Sequence, residues 1–159
     1  MRTHAPARFV LAALLCALPL SAGAARAPKP DRAHERAELK EQELLMRSVK
    51  LYWDAVRWGD AERAAEFVED PQSRALFKDW MEQERGRERV EDFTVLQVAL
   101  NERPVNSEGL REAQIFVRVS GYTLPQQILK TDRHQQTWYR TLNGWHLAWD
   151  AETALQPGG

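Results

Sequence analysis

Hydrophobic positions change period once along this chain, and the change divides it into a helical half and a sheet half. Over residues 33–58 apolar side chains recur at helical spacing. Leu45, Val49, Tyr52 and Val56 form one stripe, with Leu44, Leu51, Ala55 and Trp58 on its neighbour. The opening turns, AHERAELKEQE, are charged nearly all round, so only the second half of this helix is fit for burial. Gly59 can close the helix in a left-handed conformation, and Asp60 can cap a short second one, AERAAEFV. Asp70 before Pro71 repeats the start signal and opens a third helix to about Gly86, with apolar pairs Leu76 and Trp80, Phe77 and Met81.

Past Glu91 the period becomes two and β-branched residues appear. Strands are expected at 93–100, 113–123, 128–142 and 145–150. RPVNSEG is turn chemistry between the first two, and Asn143-Gly144 is a hairpin signal between the last two. With Asn143-Gly144 as a two-residue turn, Leu142 faces Trp145, Arg140 faces Leu147 and Trp138 faces Trp149. A symmetric loop over 124–127 pairs Thr123 with Ile128. Val119, Val117, Ile115 and Ala113 then fall opposite Asp132, His134, Gln136 and Trp138. The two turns choose the same core face. The other face carries Phe116, Tyr122, Leu129 and Tyr139 among polar residues, which reads either as solvent-exposed sheet or as a homodimer interface. His146 falls on that outer face opposite Thr141 and is expected to be exposed.

The ends and the composition bound the setting. Arg2 and Arg8, the apolar run 9–20 and the small-x-small sites Ala22-Gly23-Ala24 and Ala25-Arg26-Ala27 have the order of a cleaved Sec-type signal peptide. That run falls short of the roughly 20 residues that span a bilayer, so no stable membrane anchor is expected. Cleavage after Ala24 or Ala27 would remove Cys16, the single cysteine, and with it any disulfide, thiol chemistry or cysteine-based metal site. Removing Arg2 and Arg8 from 22 basic and 23 acidic side chains leaves a net charge of −3, which argues against a nucleic-acid partner. The expected organisation is a signal peptide at 1–24, a flexible lead-in at 25–32, one domain at 33–151 and a disordered tail at 152–159. The expected location is a bacterial periplasm or the medium outside.

A helix ending in YWDAVRWGDAERAAEFV, further helices, and a sheet closing with QQTWYRTLNGWHLAWD resemble the nuclear transport factor 2-like superfamily. That superfamily includes ketosteroid isomerase and polyketide cyclases. The resemblance implies an α+β cone, a cystatin-like roll in which a curved antiparallel sheet of about four strands wraps the long helix and leaves a cavity. It implies no single function, because the fold hosts many.

The chemistry with most to offer is the core-side group Asp132, His134 and Gln136. A cavity needs polar groups converging from apolar walls, and an Asp can orient a neighbouring His for proton transfer. The alternative is a strand that curls past the core edge and leaves these groups wet. By residue type, the resemblance would make Asp132 or His134 the base and Tyr52 the hydrogen-bond donor. Tyr52 equally fits a core position with its hydroxyl at the rim. Trp138 would wall the ligand site, and Arg140 would either anchor a ligand carboxylate or stack on indole. His34 with Glu38, or Asp31 with Glu35, lacks a third metal ligand, so neither a metal nor a cofactor is expected. GxSxG, HExxH and glycine-rich phosphate loops are absent. The leading expectation is a non-enzymatic binding or interaction module for a small apolar or amphipathic ligand or a partner protein. A small-molecule isomerase or dehydratase is the alternative. A third possibility is that the charged turns over 33–42 dock weakly on another envelope protein.

Overall fold

A computed structural model describes residues 32–85, 87–101 and 111–150. The segments expected to form the signal peptide, most of the lead-in, the RPVNSEG turn and the tail lie outside the described residues. Helix α1 spans Arg32–Trp58, α2 Ala61–Ala65 and α3 Pro71–Arg85, followed by strands β1 (Glu88–Leu100), β2 (Arg111–Thr123), β3 (Ile128–Thr141) and β4 (Gly144–Leu147). The strands form one antiparallel sheet in the order β1-β2-β3-β4, so the molecule is α+β with a curved open sheet, as the periodicity predicts. No helix among the described residues is long and apolar enough to cross a membrane.

Local chemistry sets the helix ends. Gly59 takes a positive φ of 66°, and its N–H donates to Val56 O at 3.0 Å. Asp60 Oδ1 accepts from Arg63 N–H at 3.1 Å, and Asp70 Oδ2 from Ser73 N–H at 2.7 Å. The Ser73 bond holds the Asp70 carboxyl below its ordinary range.

The core lies between the second half of α1, helices α2 and α3, and the inner face of the sheet. Leu45, Val49, Phe77, Ile115, Val117 and Trp138 are wholly buried there. Burying aliphatic and aromatic side chains of this size contributes about 1.5–3 kcal/mol apiece, and this drives the assembly. The first turns of α1 bury little, as expected. They are tied to the sheet by Arg140, whose Nε donates to Glu41 Oε2 at 3.0 Å.

Pairing of β2 with β3 follows the expected register, from Thr123 opposite Ile128 to Ala113 opposite Trp138. Pairing of β3 with β4 differs by two residues. Thr141 faces Gly144, Arg140 faces Trp145 and Trp138 faces Leu147. The turn is Leu142-Asn143 rather than Asn143-Gly144, because the Thr141 hydroxyl accepts from Asn143 N–H at 3.2 Å and draws the reversal one position earlier. A shift of two preserves the faces, so Trp145 and Leu147 are still buried. Leu142, however, is fully exposed rather than on the core side, and Trp149 packs on Phe77 and Trp80 rather than opposite Trp138. His146 faces Tyr139, not Thr141, and it is half-buried. The segment after α2 runs beside β4, bridging Val68 to Leu147, and covers it.

Two register shifts in β1, between Val90 and Asp92 and between Val95 and Gln97, mark bulges that bend the sheet. On the outer face Phe116 and Tyr139 are half-buried within a polar ladder. Gln114 Nε2 donates to Thr137 Oγ1 at 3.0 Å, and Gln135 Nε2 donates to Gln114 Oε1 at 3.2 Å.

Candidate ligand cleft

Bending leaves a half-open cleft of about 670 Å³ between α1, α3 and the inner faces of β2 and β3. Its apolar walls include Tyr52, Trp53 and Val56 from α1, Trp80 and Met81 from α3, and Trp149 after β4. Alternation on β3 turns Lys130, Asp132, His134 and Gln136 toward it, while Gly121 lies opposite Lys130 on β2. Glycine is required at that point. A Cβ on Gly121 would lie 2.4 Å from the Arg89 carbonyl oxygen, where β1 comes close beside its first bulge.

Trp53 organises the polar wall. Its ring stacks on Phe93 with centroids 6.1 Å apart and lies 5.7 Å from the His134 ring, while its Nε1 donates to Gln136 Oε1 at 3.2 Å. The same oxygen accepts from Trp138 Nε1 at 3.4 Å. Gln136 is thereby fixed by two indoles, one at the cleft and one in the core. Burial holds the His134 imidazole below its ordinary range, opposed by the carboxylates of Asp132 and Glu88. The ring keeps a solvent-facing side, so this desolvation comes from Trp53 and the cleft wall rather than from enclosure. This burial favours the neutral imidazole. Asp132 is exposed, and no hydrogen bond joins it to His134 among the described residues.

Tyr52 is also at the cleft, 5 % exposed, amid Trp53, Phe67, Phe77 and Trp138 rings at 5.4–6.3 Å. Burial pushes its phenol well above the usual range, so it is a neutral donor at any physiological pH. Four sequence-derived candidates thus meet in one place: Tyr52, Asp132, His134 and Gln136. Two do not. Trp138 has no exposed surface and lies behind the wall, acting through Gln136. Arg140 lies outside the cleft near the β3–β4 turn, paired with Glu41 and donating also to the Thr141 carbonyl. It borders a second, smaller groove of about 320 Å³ with Leu44, Leu51 and Trp145.

Trp53, Trp80 and Trp149 are cleft residues that the sequence argument did not assign to the site. The signal for Trp53 was present, since it follows Val49 by one helical turn beside Tyr52, but a helix stripe cannot distinguish a core wall from a cleft wall. Among the described residues no group of three His, Cys, Asp or Glu side chains could hold a metal ion.

No family model and no curated protein matches this chain. Among solved structures it is similar to a SEC-C motif-containing protein from Rhodopseudomonas palustris, at 12% identity over 61% of this chain and 69% of that one, with a TM-score of 0.49. It is also similar to the intermembrane space region of the chloroplast protein ARC6, at 17% identity over 77% and 95%, TM-score 0.42. A candidate polyketide cyclase from Xanthomonas campestris matches at 16% identity over 71% and 95%, TM-score 0.38.

Proposed function

We propose that the protein is an exported, non-enzymatic binding module that takes a small amphipathic ligand into the cleft between α1, α3 and the inner sheet face. The observation that carries this reading is the pinned Trp53. A flat indole is held by Phe93 on its ring and Gln136 on its nitrogen, in a cleft whose volume lies in the range of small-molecule sites, about 300–1,000 Å³. Trp53 itself is buried, at 5 % exposure, so it fixes the wall, while the half-buried Trp80 and Trp149 rings present the surface on which a ligand ring can stack without loss of wall side-chain freedom. Lys130 and Asp132, exposed along the cleft, supply polar contacts of either sign. Membership of the nuclear transport factor 2-like superfamily is part of the same proposal. It rests on the order of elements, a long helix and two short ones before a curved antiparallel sheet.

An enzymatic reading, an isomerase or dehydratase with Asp132 or His134 as base, draws on one observation: a desolvated histidine in a cleft near two carboxylates. Binding is favoured over it because Asp132 stands in water without a bond to the imidazole, and Gln136 is already engaged by two indoles. The experiment is a tryptophan-fluorescence titration with anilinonaphthalene sulfonate as an amphipathic probe. Saturable quenching is expected, weakened about two- to tenfold by Trp80→Ala, since stacked aromatic contacts contribute about 0.5–1.5 kcal/mol beyond area burial. Affinity unchanged in Trp80→Ala and Trp53→Ala would refute cleft binding. For the enzymatic alternative, Asp132→Asn with His134→Asn should abolish turnover of any substrate found.

A further inference from the structure

Strand β4 covers only the C-terminal part of β3, from Thr141 to Trp138, and Ala148 extends this by one bond, its N–H donating to Thr137 O at 2.9 Å. Beyond that point Trp149 leaves the sheet for Phe77 and Trp80. Over residues 128–136 the far edge of β3 therefore has no neighbouring strand among the described residues, and residues 128–135 are exposed on both faces. The pairing of β3 with β2 has no register shift, so the pleat is regular. Because the Thr137 carbonyl points to the β4 side, those of Gln135, Arg133, Thr131 and Leu129 do too, and their N–H groups with them. These are the unpaired groups of an open edge.

We propose that this edge pairs antiparallel with the same edge of a second copy, around a two-fold axis at Thr131. In that register Thr131 faces its own copy, Leu129 faces Arg133 and Lys130 faces Asp132, all through outward-pointing odd-numbered backbone groups. Two Lys130–Asp132 ion pairs form, one on each side of the axis. Moving the centre by one residue sets Lys130 against Lys130 or Asp132 against Asp132, moving it by two to Arg133 sets Arg133 against itself, and moving it by two to Leu129 sets Lys130 against Ile128 and forms no ion pair. Like charges directly opposite are destabilising. Charged side chains on a free edge normally deter strand addition. Here they favour one partner, this same strand, in the register that forms both Lys130–Asp132 pairs.

The pairing also bears on the cleft. Lys130 and Asp132 line it, so the second copy would bring its own Lys130 and Asp132 to the rim and extend the wall. The homodimer expected through the outer face, with Phe116, Tyr122, Leu129 and Tyr139, is replaced on this reading by an edge dimer that leaves the Gln114–Thr137–Gln135 ladder in solvent. The inference is independent of what the cleft binds.

The experiment is sedimentation of the purified chain over a dilution series, at low and high salt. The expected result is a reversible dimer that weakens with salt, as exposed ion pairs are screened. Lys130→Asp and Asp132→Lys should each give monomers, and the double exchange should restore the dimer. Phe116→Ser should leave it intact. Circular dichroism of each variant checks that the fold persists, as the exposure of Lys130 and Asp132 and the partial exposure of Phe116 predict. A monomer at every concentration, single exchanges without effect, or no rescue in the double exchange would overturn the proposal. So would a dimer that appears only after residues 151–159 are deleted, since the tail of the same chain would then be the edge's occupant.

Discussion

Trp53 and Trp138 donate to the same acceptor, Gln136 Oε1, from opposite sides of one wall. That shared atom makes Gln136 a structural residue at the margin of a binding site. Gln136→Leu leaves two indole N–H groups without a partner and is expected to cost about 1–3 kcal/mol by urea denaturation. Trp138→Ala, in a position with no exposed surface, is expected to cost about 3–5 kcal/mol, whereas His134→Gln should change stability at neutral pH little. The histidines set a pH dependence of known sign. Burial lowers the folded-state pKa of both His134 and His146, the latter also through the nearby Arg74 guanidinium. Between that lowered value and the ordinary histidine range the unfolded chain binds more protons. Stability is then fully present above the ordinary range and falls as pH drops through it. Thermal midpoints measured from neutral to mildly acidic pH should decline, and should decline less in His134→Gln. A flat profile would contradict the desolvation. Residue types on β3 made Asp132, His134 and Gln136 legible in the sequence. The partners that decide what they do, Trp53 from α1 and Glu88 from β1, could not be read, because strand periodicity says nothing about which helix crosses above.

Among the elements, β1 and the β3–β4 turn show where local chemistry overrides pattern. β1 begins at Glu88, five residues earlier than alternation indicates, because its first bulge breaks the period between Val90 and Asp92. Gly121→Ala tests that region. The added methyl meets the Arg89 carbonyl, which cannot move as a flexible side chain would, so about 1–3 kcal/mol should be lost in denaturant. Retained stability would mean that β1 separates from β2 there without cost. The hairpin dipeptide Asn143-Gly144 identified the turn but not its register, since the Thr141 hydroxyl competes for the Asn143 N–H. The symmetric 124–127 loop gave β2 and β3 their observed alignment. For α1, the charged half is expected to depend on one contact. Arg140→Ala should cost no more than about 1 kcal/mol overall, but should increase hydrogen exchange over residues 32–42 selectively.

For the whole molecule, the division into a helical half and a sheet half was readable from periodicity alone, as were the core face and most of its members. The cleft was not, since it arises from the difference between how far the sheet extends and how far the helices cover it. β2 and β3 run well past the covered part, and the exposed inner stretch of β3 is where the polar residues lie. An apolar residue there would have been part of the core pattern. Polar ones mark the place where the core stops and a ligand can begin. The central claim is that a ligand enters this cleft, and the indole N–H region of a nitrogen-15 NMR spectrum addresses it most directly, because six tryptophans report from distinct places. On titration with anilinonaphthalene sulfonate, the Trp53, Trp80 and Trp149 signals should shift together and saturate, while those of Trp58 and Trp145 stay in place. Saturating shifts at Trp58 or Trp145 with the three cleft indoles unmoved would contradict it.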